Sequence, residues 1–383
     1  MIDRRLFLSA ATASAAVSVL GVPALAAGRA STEKRFVFII QRGAADGLSA
    51  IAPVGDPAFT AQRGALAEDA ATGAKLDATF ALHPSLAETA KLYSAGEALF
   101  VHAVASPYRD RSHFDGQNVL ETGGTAAYRL KDGWMNRLLG LLPPAEGKAL
   151  AVSSTVPMAL RGTHEVSSYA PSRLPNASDD LLTRVGAMYD ADPQLHPLWQ
   201  SAMETRAAAG DVTGQDGQNG AALGALAAKL LKDDARVAMI ETIGWDTHAN
   251  QRGRLNAQLR GLDQTLASLK SGLGPDWANT VVLVATEFGR TARINGTGGT
   301  DHGTGSAAML IGGAVAGGRV IGDWPGLADS ALYEGRDLKP TTALDSLIAG
   351  AVAQHHELDP ARTMKTLFPE SQGSALQAKL VKA

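Results

Sequence analysis

The sequence predicts an α/β sandwich with a mainly parallel central sheet. Two observations carry that expectation. Six short runs are almost continuously apolar rather than alternating: Phe36–Ile40, Ala98–Val104, Leu150–Ser153, Val237–Ile243, Thr280–Thr286 and Ala307–Ile311. Strands read this way when both faces are covered, because no position along them meets water. Helical patterns lie between several of these runs, and strand–helix–strand alternation is the mark of a parallel sheet with crossover helices.

The elements follow in order. Phe36–Ile40 and Ala98–Val104 open the sheet, and Leu150–Ser153 continues it. Residues 154–206 carry few strand signals and read as an insertion or cap beside the sheet. Ala207–Gly220, rich in Gly, Asp, Gln and Asn, has no periodicity and reads as a loop that closes the cap region near residue 220. Ala221–Leu231 is a helix feeding Val237–Ile243. Arg252–Ser271 is the clearest helix, with Leu255, Leu259, Leu262, Leu266 and Leu269 at spacings of four and three. It leads into Thr280–Thr286; Ala307–Ile311 follows, and Thr341–Gln354 is a C-terminal helix.

Composition narrows the chemistry. The chain has 383 residues, 45% hydrophobic and only 5% aromatic, so its core is built from Ala, Val, Leu and Ile. It contains no cysteine, which removes disulfides, zinc–thiolate sites, iron–sulfur clusters and thiol nucleophiles together. Chemistry must therefore use oxygen and imidazole groups. A formal net charge of −3 argues against a nucleic-acid partner, which needs a basic face.

The first residues read as an address. Arg4-Arg5-Leu6-Phe7-Leu8, a moderately apolar stretch and the small-residue end Ala24-Leu25-Ala26 form an export signal of the twin-arginine type. Cleavage after Ala26 separates a signal, 1–26, from one mature domain, 27–383, with the cap-like insertion around 154–220 inside it. No later stretch has the roughly 18 uninterrupted apolar residues of a spanning helix. The expected location is periplasmic or secreted.

Ligands of open parallel sheets bind beyond the carboxyl ends of the strands. The polar clusters fall there. Asp46 follows the first run in Ala45-Asp46-Gly47; Arg109-Asp110-Arg111-Ser112-His113-Phe114-Asp115 follows the second. Gly244-Trp245-Asp246-Thr247-His248 and Glu287-Phe288-Gly289-Arg290-Thr291 follow two more, and Thr300-Asp301-His302-Gly303 precedes the last. Asp246 and His248, two apart on an extended loop, suit one hard or borderline cation, with an Asx-type cap on the following helix as the alternative. Asp46 fits turn chemistry equally well. Asp301-His302 reads as ligands or as a structural ion pair. Glu287, behind a run of apolar residues, needs a metal or Arg290 to neutralise it. Ser112 is either a helix cap or a nucleophile among the arginines.

These motifs together resemble the bacterial family DUF1501, from about Lys34 to Leu327 or beyond, and that family is similar to the alkaline phosphatase/sulfatase superfamily. The resemblance implies a three-layer α/β/α sandwich, one or two metal ions, and a Ser, Thr or formylglycine nucleophile. It implies Asp46 as a metal carboxylate, Ser112 as the nucleophile, Asp246 and His248 as the other metal's pair, and His302 as the late histidine. Two departures stand out. Asp246 and His248 are closer together than the superfamily's pair, and Glu287-Phe288 replaces its Asp-His. Asp301 then supplies the missing group, or the second site is weak or empty.

The expected activity is an exported, metal-dependent hydrolase of phosphate esters, with sulfate esters second because no Cys-x-Pro-x-Arg or Ser-x-Pro-x-Arg sequence is present. One or two divalent ions, with Zn, Mn, Mg and Ca undistinguished, would sit on Asp46, Asp246, His248, Glu287, Asp301 and His302. Ser112 and His113 join Arg109, Arg111 and Arg290 as catalytic candidates, the arginines clamping the anion. The substrate is a small-molecule or cell-envelope ester. The rival expectation is a binding or assembly protein on the same scaffold with a structural ion.

Overall fold

All six apolar runs are strands of one sheet in the computed structural model, which describes residues 33–144, 147–169, 179–209, 220–232 and 235–382. The stretch read as an export signal, 1–26, lies outside the described residues. The strands are β1 (Arg35–Gln41), β2 (Ala98–Ala105), β3 (Ala149–Val152), β4 (Val166–Ser168), β5 (Val237–Thr242), β6 (Thr280–Ala285), β7 (Ser306–Ile311), β8 (Arg319–Ile321) and β9 (Thr342–Ala343). They form a nine-stranded sheet in the order β8-β2-β7-β6-β1-β5-β3-β4, with β9 also paired to β2. Every pairing is parallel except the two made by β7, which runs against both β6 and β2.

The helices relevant here are α1 (Gly47–Ala50), α2 (Ala87–Ser94), α3 (His113–Thr122), α4 (Trp134–Leu139), α5 (Asp179–Tyr189), α6 (Leu195–Ala209), α7 (Gly220–Lys232), α8 (Gln251–Leu273), α9 (Leu344–His356) and α10 (Pro360–Leu367). They cover both faces of the sheet. On β1, Phe36, Phe38 and Ile40 pack with Trp134, Leu138, Leu347 and Leu367 of α4, α9 and α10. Val37 and Ile39 point the other way, into Leu226 and Leu230 of α7 and Leu259 and Leu266 of α8. This double burial is why the strands read as continuous apolar runs, and it gives three layers. The few aromatic residues still meet within the core, where Trp134 stands edge-on to Phe38 with ring centroids 5.3 Å apart.

The region read as a cap contributes to the sheet as well as lying beside it. β4 adds an edge strand next to β3, and α5 and α6 follow it. α6 extends to Ala209, so it takes in the first residues of the stretch read as a loop; 210–219 lie outside the described residues. Among the described residues no helix is long and apolar enough to cross a membrane.

Candidate metal centre

Chain direction brings the polar loops together. β1, β2, β5 and β6 point the same way, so the segments that follow them emerge at one edge of the sheet. β7 runs in reverse, so the segment preceding it arrives at that same edge. His113 comes from the first residue of α3, Asp246 and His248 from the loop after β5, Glu287 and Arg290 from the loop after β6, and His302 from the approach to β7. Glycine lets these backbones touch. A Cβ on Gly299 would stand 2.2 Å from the His248 carbonyl oxygen, and one on Gly303 would stand 2.3 Å from the Arg290 carbonyl carbon.

Three imidazoles surround one carboxylate. His248 Nε2 lies 3.0 Å and His302 Nε2 3.3 Å from Asp246 Oδ1, and His113 Nε2 is 3.5 Å from Asp246 Oδ2. The Nε2 atoms of His248 and His302 are 3.0 Å apart. Each ring's other nitrogen faces a group that accepts hydrogen bonds: His113 Nδ1 meets Glu287 Oε1 at 2.8 Å, His302 Nδ1 the Arg111 carbonyl at 2.9 Å, and His248 Nδ1 Asp301 Oδ1 at 3.1 Å. A carbonyl or carboxylate oxygen only accepts, so each Nδ1 carries the proton. In the neutral rings the lone pairs are then on Nε2, the atoms that converge on Asp246.

That arrangement fits a divalent cation. Lone pairs 3.0 Å apart repel unless something positive stands between them. Two ligands on a tetrahedral zinc lie about 3.3 Å from each other, the scale of the spacings observed. His113 Nε2 is buried and without a hydrogen-bond partner. His113, Asp246 and His302 can hold a metal ion, since one ligand atom from each lies within 4.8 Å of the others. A carboxylate or carbonyl behind each histidine is the usual support for metal-binding imidazoles.

The surroundings stabilise the charged forms. Burial alone would raise the pKa of Glu287, but hydrogen bonds from His113, Gln117 and Gly43 outweigh it and hold the carboxyl below its ordinary range. In return, the hydrogen bond to Glu287 raises the pKa of His113. Asp246 is also held low, since Arg290 overcomes its desolvation. Arg290 is fully buried, donating from Nη1 to Asp246 at 2.8 Å and from Nε to Thr300 at 3.2 Å. Its Nη2 has no hydrogen-bond partner. Phe288 lies against His113 with ring centroids 5.1 Å apart and keeps water from that side. Glu287→Gln keeps the shape but weakens the charge behind His113. Zinc affinity measured by competition with a chromophoric chelator is expected to fall about 10- to 100-fold, and an unchanged affinity would contradict the support role.

Each residue predicted from sequence has a definite place. Asp246, His248 and His302 meet at the centre, and His113 joins them although the sequence argument gave it no ligand role. Glu287 and Asp301 stand behind His113 and His248. Asp46 is almost wholly buried, and its oxygens are engaged elsewhere: it caps α1 through Leu48 N–H, accepts from Ser49, and takes hydrogen bonds from Arg63 and Gln251. Ser112 occupies the N-cap of α3 but makes no side-chain capping bond. Arg109 donates to the carbonyls of Ser106 and Tyr108. Arg111 is tied to Asp337 and Glu334.

Sequence reasoning missed Arg63, Gln251 and Gln117. Gln251, three residues past His248, donates to Asp46 and accepts from Thr247 and Thr300. Its spacing from His248, at the start of a helix, was the one available signal.

The fold and the site define a class: an α/β sandwich protein with a candidate metal cluster at the carboxyl edge of its sheet. The chain belongs to DUF1501, described as "Protein of unknown function (DUF1501)", whose model matches residues 33–368. No curated protein matches it. Among solved structures it is similar to the lipoteichoic acid synthase LtaP from Listeria monocytogenes, at 10% identity over 90% of this chain and 74% of that one, with a TM-score of 0.38. It is similar to the phosphonate monoester hydrolase of Agrobacterium radiobacter at 11% identity over 85% and 78%, TM-score 0.40. It is also similar to the C-terminal periplasmic domain of EcEptC from Escherichia coli in complex with Zn, at 9% identity over 73% of each chain, TM-score 0.34.

Proposed function

We propose that this protein is an exported hydrolase of phosphate esters, with sulfate esters second, that depends on one divalent cation held by His113, Asp246, His248 and His302. The observation that carries the reading is the orientation of the three imidazoles, each with Nδ1 spent on an acceptor and Nε2 turned toward Asp246. An imidazole-rich set favours zinc or iron over manganese, magnesium and calcium. A single ion is supported by Asp46, whose oxygens are taken by Arg63, Gln251, Ser49 and Leu48. The Arg63 guanidinium supplies the positive charge a second cation would bring.

The cation, when bound, supplies Lewis-acid polarisation of an ester oxygen. The chain's own groups do the rest. Ser112 is the nucleophile candidate: it precedes the ligand His113, and its hydroxyl is not spent on capping α3. Its Oγ bonds to phosphorus as the bond to the ester alcohol breaks, and the alcohol leaves with the serine proton. Water then cleaves the phosphoserine. The amides at the start of α3 and the unpartnered Nη2 of Arg290 offer donors to the anion. Arg111 acts through its backbone, because its guanidinium is held by Asp337 and Glu334. The residues before 27 carry the twin-arginine signal, which exports proteins already folded.

Elemental analysis and turnover of p-nitrophenyl phosphate and p-nitrophenyl sulfate test this together. About one metal equivalent per chain is expected. Ser112→Ala should lower phosphatase turnover at least ~10³-fold, a barrier increase of about 4 kcal/mol, without changing metal content. A metal-loaded wild-type chain that turns over neither ester would sink the hydrolase and leave the binding or assembly reading, and wild-type turnover in Ser112→Ala would remove Ser112 as the nucleophile.

A further inference from the structure

We propose that Asp337, which no sequence signal singled out, is the positioning residue that fixes His302 in the metal centre; this rests on the metal-centre reading above. Asp337 is fully buried. Its Oδ2 accepts from Arg111 Nε at 3.0 Å and from Thr304 Oγ1 at 2.8 Å, with Arg111 Nη2 2.8 Å away. Its Oδ1 accepts from Arg336 Nη1 at 3.1 Å.

Those partners lead to one histidine. The Arg111 carbonyl accepts from His302 Nδ1 at 2.9 Å, and Arg336 Nη2 donates to the His302 carbonyl at 2.8 Å. Thr304, two residues on, fixes the chain as it enters β7. His302 is thus gripped at its ring and at its backbone by two guanidinium-bearing residues that share a single carboxylate.

Backbone conformation points the same way. Arg111 has φ +59°, in the left-handed region that a bulky side chain rarely adopts. Such a conformation persists when surrounding contacts over-determine it. Here the Asp337 pair anchors the side chain while the carbonyl stays on His302. The direction of the His302 Nε2 lone pair depends on ring rotation, and ring rotation depends on that carbonyl. Asp337 therefore acts on the metal through Arg111 and Arg336 without touching it.

The test compares variants of the full-length chain for binding of Zn(II) and Co(II), with the visible spectrum of the cobalt form as the geometric readout. Asp337→Asn should raise the Kd for both ions about 10- to 100-fold and shift the cobalt bands. Arg336→Lys, at a half-exposed position, should shift the cobalt bands in the same direction by a smaller amount, and it carries the test if Asp337→Asn does not fold. Asp263→Asn is the control. Asp263 is a buried carboxylate that accepts from the Glu88 and Thr89 amides, so its loss should lower Tm and leave Kd unchanged. Wild-type Kd and spectrum in both Asp337→Asn and Arg336→Lys would overturn the proposal, as would an equal Kd change in Asp263→Asn. A wild-type chain that binds neither ion would overturn the metal-centre reading and this inference with it.

Discussion

Replacing His302 with alanine is expected to empty the centre and abolish turnover. His302 contributes an Nε2 within 3.3 Å of Asp246 and 3.0 Å of His248, and with His113 and Asp246 it offers one ligand atom within 4.8 Å of the others. Its removal leaves an incomplete donor set and frees the Arg111 carbonyl. Metal content should fall from about one equivalent to near zero. Phosphatase turnover should fall at least ~10³-fold, because a Lewis acid contributes several kcal/mol and each 1.36 kcal/mol is a factor of ten. Elemental analysis of the purified variant beside wild type decides the matter. A variant that retains its full metal equivalent would remove His302 from the donor set.

The second large effect concerns stability. Asp46 and Arg63 form an ion pair in which neither side chain is appreciably exposed. Asp46→Ala leaves the Arg63 guanidinium buried without its counter-charge, which costs about 3–5 kcal/mol. At roughly 2.1 cal/mol/K of unfolding entropy per residue, a domain of this size shifts about 1–2 °C per kcal/mol, so Tm should drop by about 5 °C. Metal content should stay at the wild-type level, whereas loss of the ion would make Asp46 a ligand, as the superfamily resemblance implies. The pH profile supplies an independent sign. Burial would raise the Asp46 pKa, but Arg63, Ser49 and Gln251 hold it below its unfolded value. The pair's contribution is therefore complete above about pH 4, the ordinary aspartate range, and fades as pH falls through the lower folded value. Asp46→Ala should remove that part of the acid-side loss of stability seen in denaturant titrations.

Much of the fold was legible because of its double burial. Phe36, Phe38 and Ile40 face one helical layer while Val37 and Ile39 face the other, so β1 shows no alternation and cannot be mistaken for a half-exposed strand. The leucines of α8 likewise mark its buried stripe. What stayed hidden was strand direction and the weakest strands. An apolar pattern is the same read either way, so nothing in Ser306–Ile311 announces that β7 is reversed. β4, three residues long with two serines at the sheet edge, has almost no pattern to read.

The candidate site divides similarly. Residue types and their place at strand ends singled out Asp246, His248 and His302, which lie side by side in the fold. Whether a carboxylate touches an ion or stands behind a histidine depends on side-chain direction, and sequence is silent on that. Glu287 and His113, 174 residues apart, illustrate it: the glutamate lies beneath and the histidine faces Asp246. Asp337 answers the charge of Arg111, 226 residues away, and Arg63 that of Asp46, 17 residues away with no regular spacing to mark it, so only the folded backbone brings them into view.

The reversal of β7 also orders events in time. His113 emerges from the ribosome long before His302, and β7 takes its place between β2 and β6 only once the segment leading into it exists. A nascent chain that has not passed His302 has no centre to fill, and contacts across such separations are slow to close. The side chains around Asp246 can therefore come together only after the segment carrying His302 has been made.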